Sequence, residues 1–513
     1  MTGHQSSLDA VGVGGYGASM SHVLTRRRLL EAGAAGAALT ALGGPSAAYA
    51  AARKRKKADV VVVGAGFSGL AAARALEAAG HSVLVLEARE VVGGRTRNAS
   101  IAGGKYIAEV GGQFVGPTQD RILALAKAVG AKTFDVYNTG QNVFLARGER
   151  TLYPAAVGIP NDPEVLALLS ILQEVDKLAA EVGVLAPWKH AKARQYDGMT
   201  LAQYLAPKGL TPTAHAVADA IFQAIWGADA DELSFLYVLQ YVAAAGNAKT
   251  AGAFLRLIAT GGGAQEQRIV GGSVVVAQKV AKELGARVIL GAPVEKVKDH
   301  DGVVTITTRG GPTVVAQQAI IAVPPVLAAR IAFAPGLPAG KKALLKAMTP
   351  GSLTKVEAVY ATPFWREAGL SGQGVSDTGI ARVPWDNSPP DAGVGVFFSF
   401  IGGRLHQEWA ALDPATRRAR VLDDFVRFTG DERARSPLEY LEKDWTTETW
   451  TRGCPVGHFA PGVLSKHGAY LRAPAGRIHF AGTETADYWL GYMDGAVRAG
   501  ERAAKEAGAR LKG

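Results

Sequence analysis

Residues 58–90, ADVVVVGAGFSGLAAARALEAAGHSVLVLEARE, decide the fold. The apolar run Asp59–Val63 predicts a buried strand, the small residues of 68–79 predict a helix closed by Gly80, and 82–86 predicts a second strand. A strand, a glycine-rich turn, a helix and a parallel strand form the first unit of a doubly wound α/β sheet. Because the N-terminus of such a helix carries free N–H groups, this unit also predicts an anion site.

The glycine spacing in this segment predicts a dinucleotide site. Gly64, Gly66 and Gly69 fill the pattern G-x-G-x-x-G, and Glu87 ends the second strand. The first glycine makes the tight turn, the second lets a pyrophosphate approach the backbone, and the third lets helix and strand pack closely. The acidic residue at the end of the second strand can accept hydrogen bonds from a ribose.

Two further segments predict a cofactor that is held along its whole length. AREVVGGRT, residues 88–96, places a second glycine pair between Arg89 and Arg95, although an ordinary turn would explain this pair by itself. The C-terminal segment 477–508, RIHFAGTETADYWLGYMDGAVRAGERAAKEAG, predicts a strand over 478–481 and a helix from about Gly491. That helix also directs its N-terminal amides toward something anionic or electron-rich.

Length and charge limit the classes of protein. A chain of 513 residues predicts more than one domain. Of the net charge of +11, eight basic and two acidic residues before residue 58 account for +6, so the remainder of the chain is only mildly basic. Basic and aromatic residues do not alternate as they do in proteins that bind single-stranded nucleic acid, and we therefore expect no nucleic-acid partner.

The N-terminal tail predicts an export signal. Arg26 and Arg27 in TRRRLLEAG precede a weakly apolar run over 33–42, and the AYA of residues 48–50 forms a small-x-small cleavage pattern. This order is typical of a twin-arginine signal, so we expect a mature chain that begins near Ala51 in the periplasm or outside the cell. An uncleaved membrane anchor is the alternative, but the run is shorter than the roughly 20 residues that a spanning helix needs.

These segments together resemble the flavin-dependent monoamine oxidase family from about Asp59 to the C-terminus. Further matches are VGGQFVGPTQDRILALAKAVG at 110–130, APWKHAKARQYDGMTLAQYL at 186–205, AQEQRIVGGS at 264–273 and PGSLTKVEAVYATPFW at 350–365. The resemblance, to a bacterial, twin-arginine exported member, implies an α/β fold in which a doubly wound FAD-binding domain interleaves with an α+β substrate-binding domain. The FAD-binding domain would comprise 58–132, 270–344 and 448–513, and the substrate-binding domain 133–269 and 345–447. Residues 1–57 would be an export signal and a basic linker.

The resemblance implies FAD-dependent oxidation of a primary or secondary amine to an imine and then an aldehyde, with reduction of dioxygen to hydrogen peroxide. Lys355 matches the lysine that holds a water at the flavin N5 atom, although a solvated strand lysine is the simpler alternative. Tyr492 matches one of two aromatic walls around the substrate nitrogen. The second wall falls on Pro455, which has no aromatic ring, and the sequence leaves Trp450, Phe459 and Trp489 open as replacements.

The remaining site residues also follow from the resemblance. Leu257, Ile258 and Gln265 match substrate-pocket residues, and core packing is the alternative for the two aliphatic ones. Residues matching cofactor contacts are Gly64, Gly66, Ser68, Gly69, Glu87, Arg89, Gly94, Arg95, Gly111, Gly112, Gln113, Val294, Cys454, Thr483, Glu484, Tyr492 and Met493.

Cys454 is the only cysteine, so it cannot form an internal disulfide. It falls where mammalian family members attach the flavin 8α-methyl carbon through a thioether. A covalent link is therefore one possibility, an unbonded thiol packed against the flavin is the favoured one, and an intermolecular disulfide is the third. His458, four residues away, suggests a Cys–His nucleophile pair, but no hydrolase signature accompanies it. The histidines show no metal-ligand spacing.

Two other functions stay open at the level of sequence. One is a related flavoprotein that oxidises an amino acid or a carbon–carbon bond, for which no carboxylate-clamping arginine can be identified. The other is a flavin-binding protein without turnover, its aromatic pair incomplete at Pro455. The expected partners are an amine and dioxygen, with no stable membrane anchor and a possible homodimer.

Overall fold

An eight-stranded mixed β-sheet forms the scaffold of the chain, which a computed structural model describes over residues 55–511. The predicted export signal therefore lies outside the described residues. The strands are β1 Lys56–Val63, β2 Val83–Leu86, β3 Asn98–Ile101, β4 Tyr106–Glu109, β5 Phe114–Val115, β6 Thr133–Asp135, β7 Gln141–Ala146, β8 Glu149–Pro154, β9 Gln267–Ile269, β10 Val288–Ile289, β11 Val294–His300, β12 Val303–Thr308, β13 Thr313–Ile321, β14 Ala332–Ala334, β15 Met348–Pro350, β16 Leu353–Tyr360, β17 Leu370–Ser376, β18 Pro384–Asp386, β19 Gly395–Gly402, β20 Glu439–Asp444, β21 Gly457–Phe459 and β22 Ile478–Phe480.

Helices cover the sheets and link them. The α-helices are α1 Phe67–Ala78, α2 Asp120–Ala128, α3 Pro163–Val182, α4 Ala193–Asp197, α5 Leu201–Leu205, α6 Pro212–Trp226, α7 Phe235–Ala243, α8 Val274–Leu284, α9 Pro325–Ala328, α10 Ala339–Ala347, α11 Gly403–Ala410, α12 Pro414–Thr429, α13 Leu464–His467 and α14 Met493–Ala509. The predicted capping box is confirmed: the Thr200 hydroxyl accepts the Gln203 N–H, and the Gln203 side chain accepts the Thr200 N–H.

The strand order of the large sheet is β10-β2-β1-β13-β12-β11-β14. Strand β22 pairs with the last three residues of β13. Strands β10, β2, β1, β13 and β22 pair in parallel, whereas β11, β12 and β13 pair antiparallel. Val60 and Val62 enter one hydrophobic core with α1, α8 and α14, while Val61 and Val63 enter another core on the opposite face. Burial on both faces explains the unbroken apolar run of β1. The predicted α/β fold class is confirmed.

Two predicted boundaries shift. The linker was expected to reach residue 57, but β1 begins at Lys56, because Lys56 and Lys57 continue the ladder opposite Val314 and Val315. The last helix was expected from about Gly491 and begins at Met493, because Tyr492 is still extended.

The middle segments supply separate sheets, β18-β19-β16-β20 and β17-β7-β8, and the largest hydrophobic core, to which α3, α6 and α7 contribute. Contacts join all the described residues into one compact unit. Some pairings cross the predicted division, such as β15 with β21. The two-domain division therefore stays a prediction. Within the described residues, no helix combines the length and the apolar character that a bilayer-crossing segment requires.

Candidate active site

One cavity receives both glycine-rich turns, the C-terminal segment and a wall from the middle of the chain. Gly64 has φ +104°, and a Cβ there would lie 2.9 Å from the Ala322 carbonyl oxygen. A Cβ on Gly69 would lie 1.9 Å from the Gly64 oxygen, so only glycine lets α1 pack on the turn. The two turns meet, because a Cβ on Gly94 would lie 3.2 Å from the Gly66 Cα.

Two helix N-termini open onto this cavity. Helix α1 begins after Gly66 and α14 begins after Tyr492, and neither N-cap residue makes a side-chain capping bond. Gly66, Tyr492 and Met493 all line the cavity. The first backbone N–H groups of both helices, with their positive helix-dipole ends, are therefore available to a ligand. A pyrophosphate fits such a site.

Glu87 holds the first turn in place. One carboxylate oxygen accepts the Ala65 N–H at 2.7 Å, and the other accepts the Arg89 N–H at 3.0 Å. Each oxygen has two lone pairs, so the carboxylate keeps acceptor capacity for a ribose hydroxyl.

A partly buried ion pair, with Arg95 21 % exposed and Glu484 2 %, joins the second turn to the C-terminal segment. Arg95 donates to both oxygens of Glu484, at 2.6 and 3.1 Å, and to the Pro455 carbonyl oxygen at 2.9 Å. Planar bidentate pairing fixes geometry as well as charge. Glu484, which does not line the cavity, thus acts on the site through Arg95, which does.

Lys355 lies on β16, lines the cavity and is 1 % exposed, so the solvated-lysine alternative is wrong. Its Nζ donates to the Glu109 carbonyl oxygen and to Gln113 Oε1, and it lies 3.3 Å from Glu357 Oε1. Burial lowers the pKa of Lys355, while the charges of Glu357 and Glu109 oppose that change.

Tyr492 lines the cavity, and its hydroxyl donates to the Leu257 carbonyl oxygen at 3.0 Å. Among the three replacements considered for the Pro455 position, only Trp450 also lines the cavity. Trp489 packs edge-on to Tyr492 at 4.9 Å, and Phe459 packs against Tyr237. An unpredicted ring, Tyr241, lines the cavity beside Tyr492 at 6.3 Å between centroids.

The predicted pocket residues Leu257, Ile258 and Gln265 line the same cavity. The Gln265 amide nitrogen donates to the Leu257 oxygen at 3.3 Å. The Gln265 carbonyl oxygen has no hydrogen-bond partner within residues 55–511. This oxygen is therefore free to accept a hydrogen bond from a bound molecule.

Cys454 lines the cavity and is buried. Burial raises the pKa of its thiol well above the ordinary value, although Arg95 opposes that rise. Because the thiolate is the nucleophile, burial suppresses its reactivity.

His458 lies on β21, and burial lowers its pKa to about 4. Over the described part of the chain, no hydrogen bond joins it to Cys454 and no group of His, Cys, Asp or Glu could hold a metal.

The structure brings nearly all the predicted cofactor residues to this one cavity. Only Gly69, which supports the turn, and Glu484, which pairs with Arg95, stand behind its surface. Six aromatic residues that line the cavity were not predicted: Phe67, Phe114, Tyr241, Trp385, Phe400 and Trp445. Phe400 is the β19 partner of Lys355, so a known strand register would have identified it.

The cavity suits FAD along its whole length. The two glycine turns and the two helix N-termini can bind the pyrophosphate, Glu87 can accept from the ribose, and the aromatic residues can enclose the flavin ring. These features define a flavoprotein. This fit rests on the glycine positions that admit no Cβ and on the uncapped helix ends.

Comparison with known proteins names the class more closely. The profile of the family "Flavin containing amine oxidoreductase" matches residues 67–507, and the chain belongs to this family. It is 39 % identical over 453 residues to the "Putative flavin-containing monoamine oxidase AofH" of Mycobacterium tuberculosis, covering 88 % of this chain and 97 % of that one. It is 37 % identical over 455 residues to amine oxidase [flavin-containing] B of Sus scrofa, covering 88 % and 86 %.

Solved structures agree. Wild-type putrescine oxidase bound to putrescine superposes with a TM-score of 0.83 and 36 % identity, covering 89 % of this chain and all of the other. Cyclohexylamine oxidase from Brevibacterium oxydans IH-35A gives 0.84 and 33 %, with the same coverage. The protein is a flavin-containing amine oxidase that oxidises an amine with FAD and dioxygen, and the predicted function and cofactor are confirmed. The alternative of flavin binding without turnover is wrong.

The roles of the chain's own residues follow from this geometry. When bound, FAD supplies the electron sink that takes hydrogen from the carbon beside the amine nitrogen and passes the electrons to dioxygen. The Tyr492 ring is held by its hydroxyl bond to Leu257, and the apolar wall excludes water from the reacting carbon. Lys355 places a buried amino group at the same chamber.

Proposed function

We propose that the preferred substrate is an apolar primary or secondary monoamine. The wall that the middle of the chain contributes carries this proposal: Ala224, Ile225, Tyr241, Leu257, Ile258, Gln265, Leu353, Lys355, Trp385, Phe400 and Trp445. Lys355 is its only charged member among the described residues. Without a carboxylate, this wall has no partner for the second ammonium of a diamine, and an unpaired buried charge is costly. Without an arginine, it lacks a clamp for an amino-acid carboxylate.

Peroxide release tests the proposal over a matched panel of phenylethylamine, cyclohexylamine, putrescine and phenylalanine. We expect kcat/KM for the two monoamines to exceed those for putrescine and phenylalanine at least tenfold. A preference for putrescine would contradict the reasoning from the wall, whereas no turnover of any amine would question the activity.

We propose that FAD is held without a bond to Cys454. The buried, neutral thiol supports this proposal, since thioether formation requires the thiolate. Acid precipitation should leave yellow FAD in the supernatant and an unmodified tryptic peptide containing Cys454. A yellow pellet with a flavin-sized mass on that peptide would contradict it. Cys454→Ala should retain FAD, because the turns and helix ends do most of the holding.

We propose that the protein is exported through the twin-arginine route and that the mature chain begins near Ala51. The paired arginines, the weakly apolar run and the AYA pattern support this location in the periplasm or outside the cell. Replacing Arg26 and Arg27 by lysine should retain the precursor inside the cell. Export of the variant at the normal level would contradict the proposal.

We propose that two copies of the chain associate as a homodimer. An interface between two copies would cover apolar side chains that are largely exposed in one chain, such as Leu185 at 64 % and Val157 at 63 %. Light scattering after size-exclusion chromatography should give twice the chain mass. A monomer mass at micromolar protein would contradict it.

A further inference from the structure

Three hydrogen bonds and one ion pair join four buried polar side chains in a ring at the cavity wall, which Lys355 and Gln113 line. Lys355 Nζ donates to Gln113 Oε1, and Gln113 Nε2 donates to Asn387 Oδ1 at 2.9 Å. Asn387 Nδ2 donates to Glu357 Oε2 at 2.9 Å, and Glu357 Oε1 lies 3.3 Å from the lysine nitrogen. None of the four side chains is more than 2 % exposed. The ring joins β16 to the residue before β5 and to the residue after β18.

The two charged members determine the direction of every bond in this ring. An ammonium group can only donate, and a carboxylate can only accept. The Gln113 oxygen must therefore face Lys355, and the Asn387 nitrogen must face Glu357. Because both amides are fixed in this way, the ring has a single hydrogen-bonding arrangement while both ends are charged. A neutral lysine or a protonated Glu357 would remove that constraint.

Glu357 is the charge partner of Lys355. The other nearby carboxylate, Glu109, is already occupied, because Arg268 donates to one of its oxygens at 3.0 Å and Ser273 donates to the other. Glu357 Oε1, in contrast, has no hydrogen-bond donor within the described residues and faces the lysine nitrogen. On the adjacent strand β20, Lys443 pairs with Glu448 instead.

The other groups that surround Lys355 do not replace this carboxylate. Arg268 is cationic and lowers the pKa of Lys355, as does burial, which is the largest cause. The buried Cys454 thiol is neutral, because its own pKa is raised. The Phe398 and Phe400 rings lie 4.1 and 5.9 Å from the nitrogen, and such contacts stabilise a cation only modestly.

We propose that Glu357 is a positioning residue of the oxidase, which keeps Lys355 protonated and fixed at the cavity wall and so sets the pH range of cofactor reoxidation. In the net reaction, two electrons and two protons leave the reduced cofactor, and dioxygen becomes hydrogen peroxide. Lys355 contributes a fixed positive charge and neither gains nor loses a proton in that balance. A fixed cation favours developing negative charge in a water-poor site. The inference is independent of which amine is preferred.

Glu357→Gln tests this role in the holoenzyme, with two measurements. The first is the pH dependence of reoxidation of the photoreduced enzyme by dioxygen, in stopped flow, without any amine. The second is the midpoint potential of the bound flavin. An opposite charge within about 4–6 Å changes a pKa by about 1–3. Glu357 raises the pKa of Lys355. In Glu357→Gln, the pH above which reoxidation slows should therefore be lower than in the wild type by about 1–3 pH units. The midpoint potential should also fall at pH values between the two alkaline limits, where Lys355 is neutral in the variant and charged in the wild type.

Two variants serve as controls. Glu442→Gln removes a carboxylate from β20 that pairs with Arg417 at 2.7 Å outside the cavity, and it should change neither measurement. Glu357→Asp keeps the charge and should keep the potential closer to that of the wild type than Glu357→Gln does. A Glu357→Gln enzyme with wild-type pH profile and potential would overturn the proposal.

A double variant keeps the test decisive if Glu357→Gln folds poorly. Lys355→Met leaves Glu357 buried without its partner, whereas Lys355→Met/Glu357→Gln removes both charges together. If Glu357 acts through Lys355, the double variant should melt at a higher temperature than Lys355→Met and share its reoxidation profile. Equal melting temperatures, or a further change in the profile, would overturn the proposal.

Discussion

Lys341 offers a measurement of what one buried charge costs this fold. The side chain lies on α10, is 1 % exposed and forms no ion pair with another described residue. Its Nζ donates to the Leu471 carbonyl oxygen at 3.3 Å and lies 3.9 Å from the centre of the Phe480 ring. Burial lowers the pKa of Lys341 from 10.5 to about 7; Arg502 lowers it further, and Glu506 opposes the change.

The sign of the effect on stability follows from the proton balance. Between pH 7 and 10.5 the unfolded chain carries a proton on this lysine that the folded chain has mostly lost, so stability rises with pH over that range. Each pH unit corresponds to about 1.36 kcal/mol. The ionisation of Lys341 therefore costs the fold about 4 kcal/mol at pH 7 and almost nothing above pH 10.5. Below pH 7 the cost stays constant.

Lys341→Met removes this cost and keeps most of the side-chain volume. The variant loses the bond to Leu471, worth about 1 kcal/mol, and a cation–ring contact worth up to about 2 kcal/mol. A net gain of about 1–2 kcal/mol in free energy of unfolding is expected at pH 7. The sharper expectation concerns pH: the gain should shrink by about 2.5 kcal/mol between pH 7.5 and 9.5.

Urea unfolding of the holoenzyme at both pH values, followed by tryptophan fluorescence, measures that change. The matched control is Lys342→Met, because Lys342 is the next residue on the same helix and is exposed. Its stability difference from the wild type should not depend on pH. A Lys341→Met difference equally independent of pH would refute the reasoning, since it would mean that the buried lysine keeps its ordinary pKa.

Three further predictions concern the site. Glu87→Ala should weaken FAD retention by about 1.5–3 kcal/mol, because a bond to a charged acceptor is lost and the Ala65 N–H is left unpaired; dialysis followed by absorbance measures it, and unchanged retention would remove Glu87 from the site. Glu484→Ala should lower the free energy of unfolding by about 1.5–3 kcal/mol, because Arg95, which is only 21 % exposed, loses its charge-assisted hydrogen bonds to the carboxylate; a loss below 1 kcal/mol in urea titration would contradict this. Lys355→Met should leave FAD bound but slow reoxidation by dioxygen more than it changes substrate affinity, and wild-type kinetics in stopped flow would defeat that role.

The first dinucleotide-binding unit could be predicted because its signals are local. The apolar run of β1, the three glycines and Glu87 lie within 33 residues, and each position has one physical explanation. The beginning of α14 was missed by two residues, since the extended backbone of Tyr492 leaves no sequence signal of its own. Predictions from local pattern succeed where the elements that meet are also neighbours in the chain.

The substrate wall could not be predicted in the same way. Phe400 joins Lys355 only through the register of β16 and β19, and the Gln113–Asn387 bond spans 274 residues. Because Pro455 has no aromatic ring, the replacements were sought among residues near it in sequence. A further cavity ring, Tyr241, comes from α7 and lies 6.3 Å from Tyr492 although it is far from Pro455 in sequence. A one-residue change in the register of β16 and β19 would place Lys355 and Phe400 on opposite faces of their sheet.

The two buried lysines show how the same burial has opposite consequences. Lys341 and Lys355 are each 1 % exposed, and each donates to a backbone carbonyl oxygen. Lys341 has only an aromatic ring in addition, so its charge is a cost that a methionine would remove. Lys355 has an amide oxygen and the carboxylate of Glu357 in addition, and that carboxylate is itself fixed through Asn387. Stability alone would favour removing both charges, because a buried pair is often no better than apolar residues. The fold nevertheless surrounds Lys355, at the wall of the FAD chamber, with a ring of four side chains, and it provides no such ring for Lys341. The chemistry in that chamber is the best explanation for the difference.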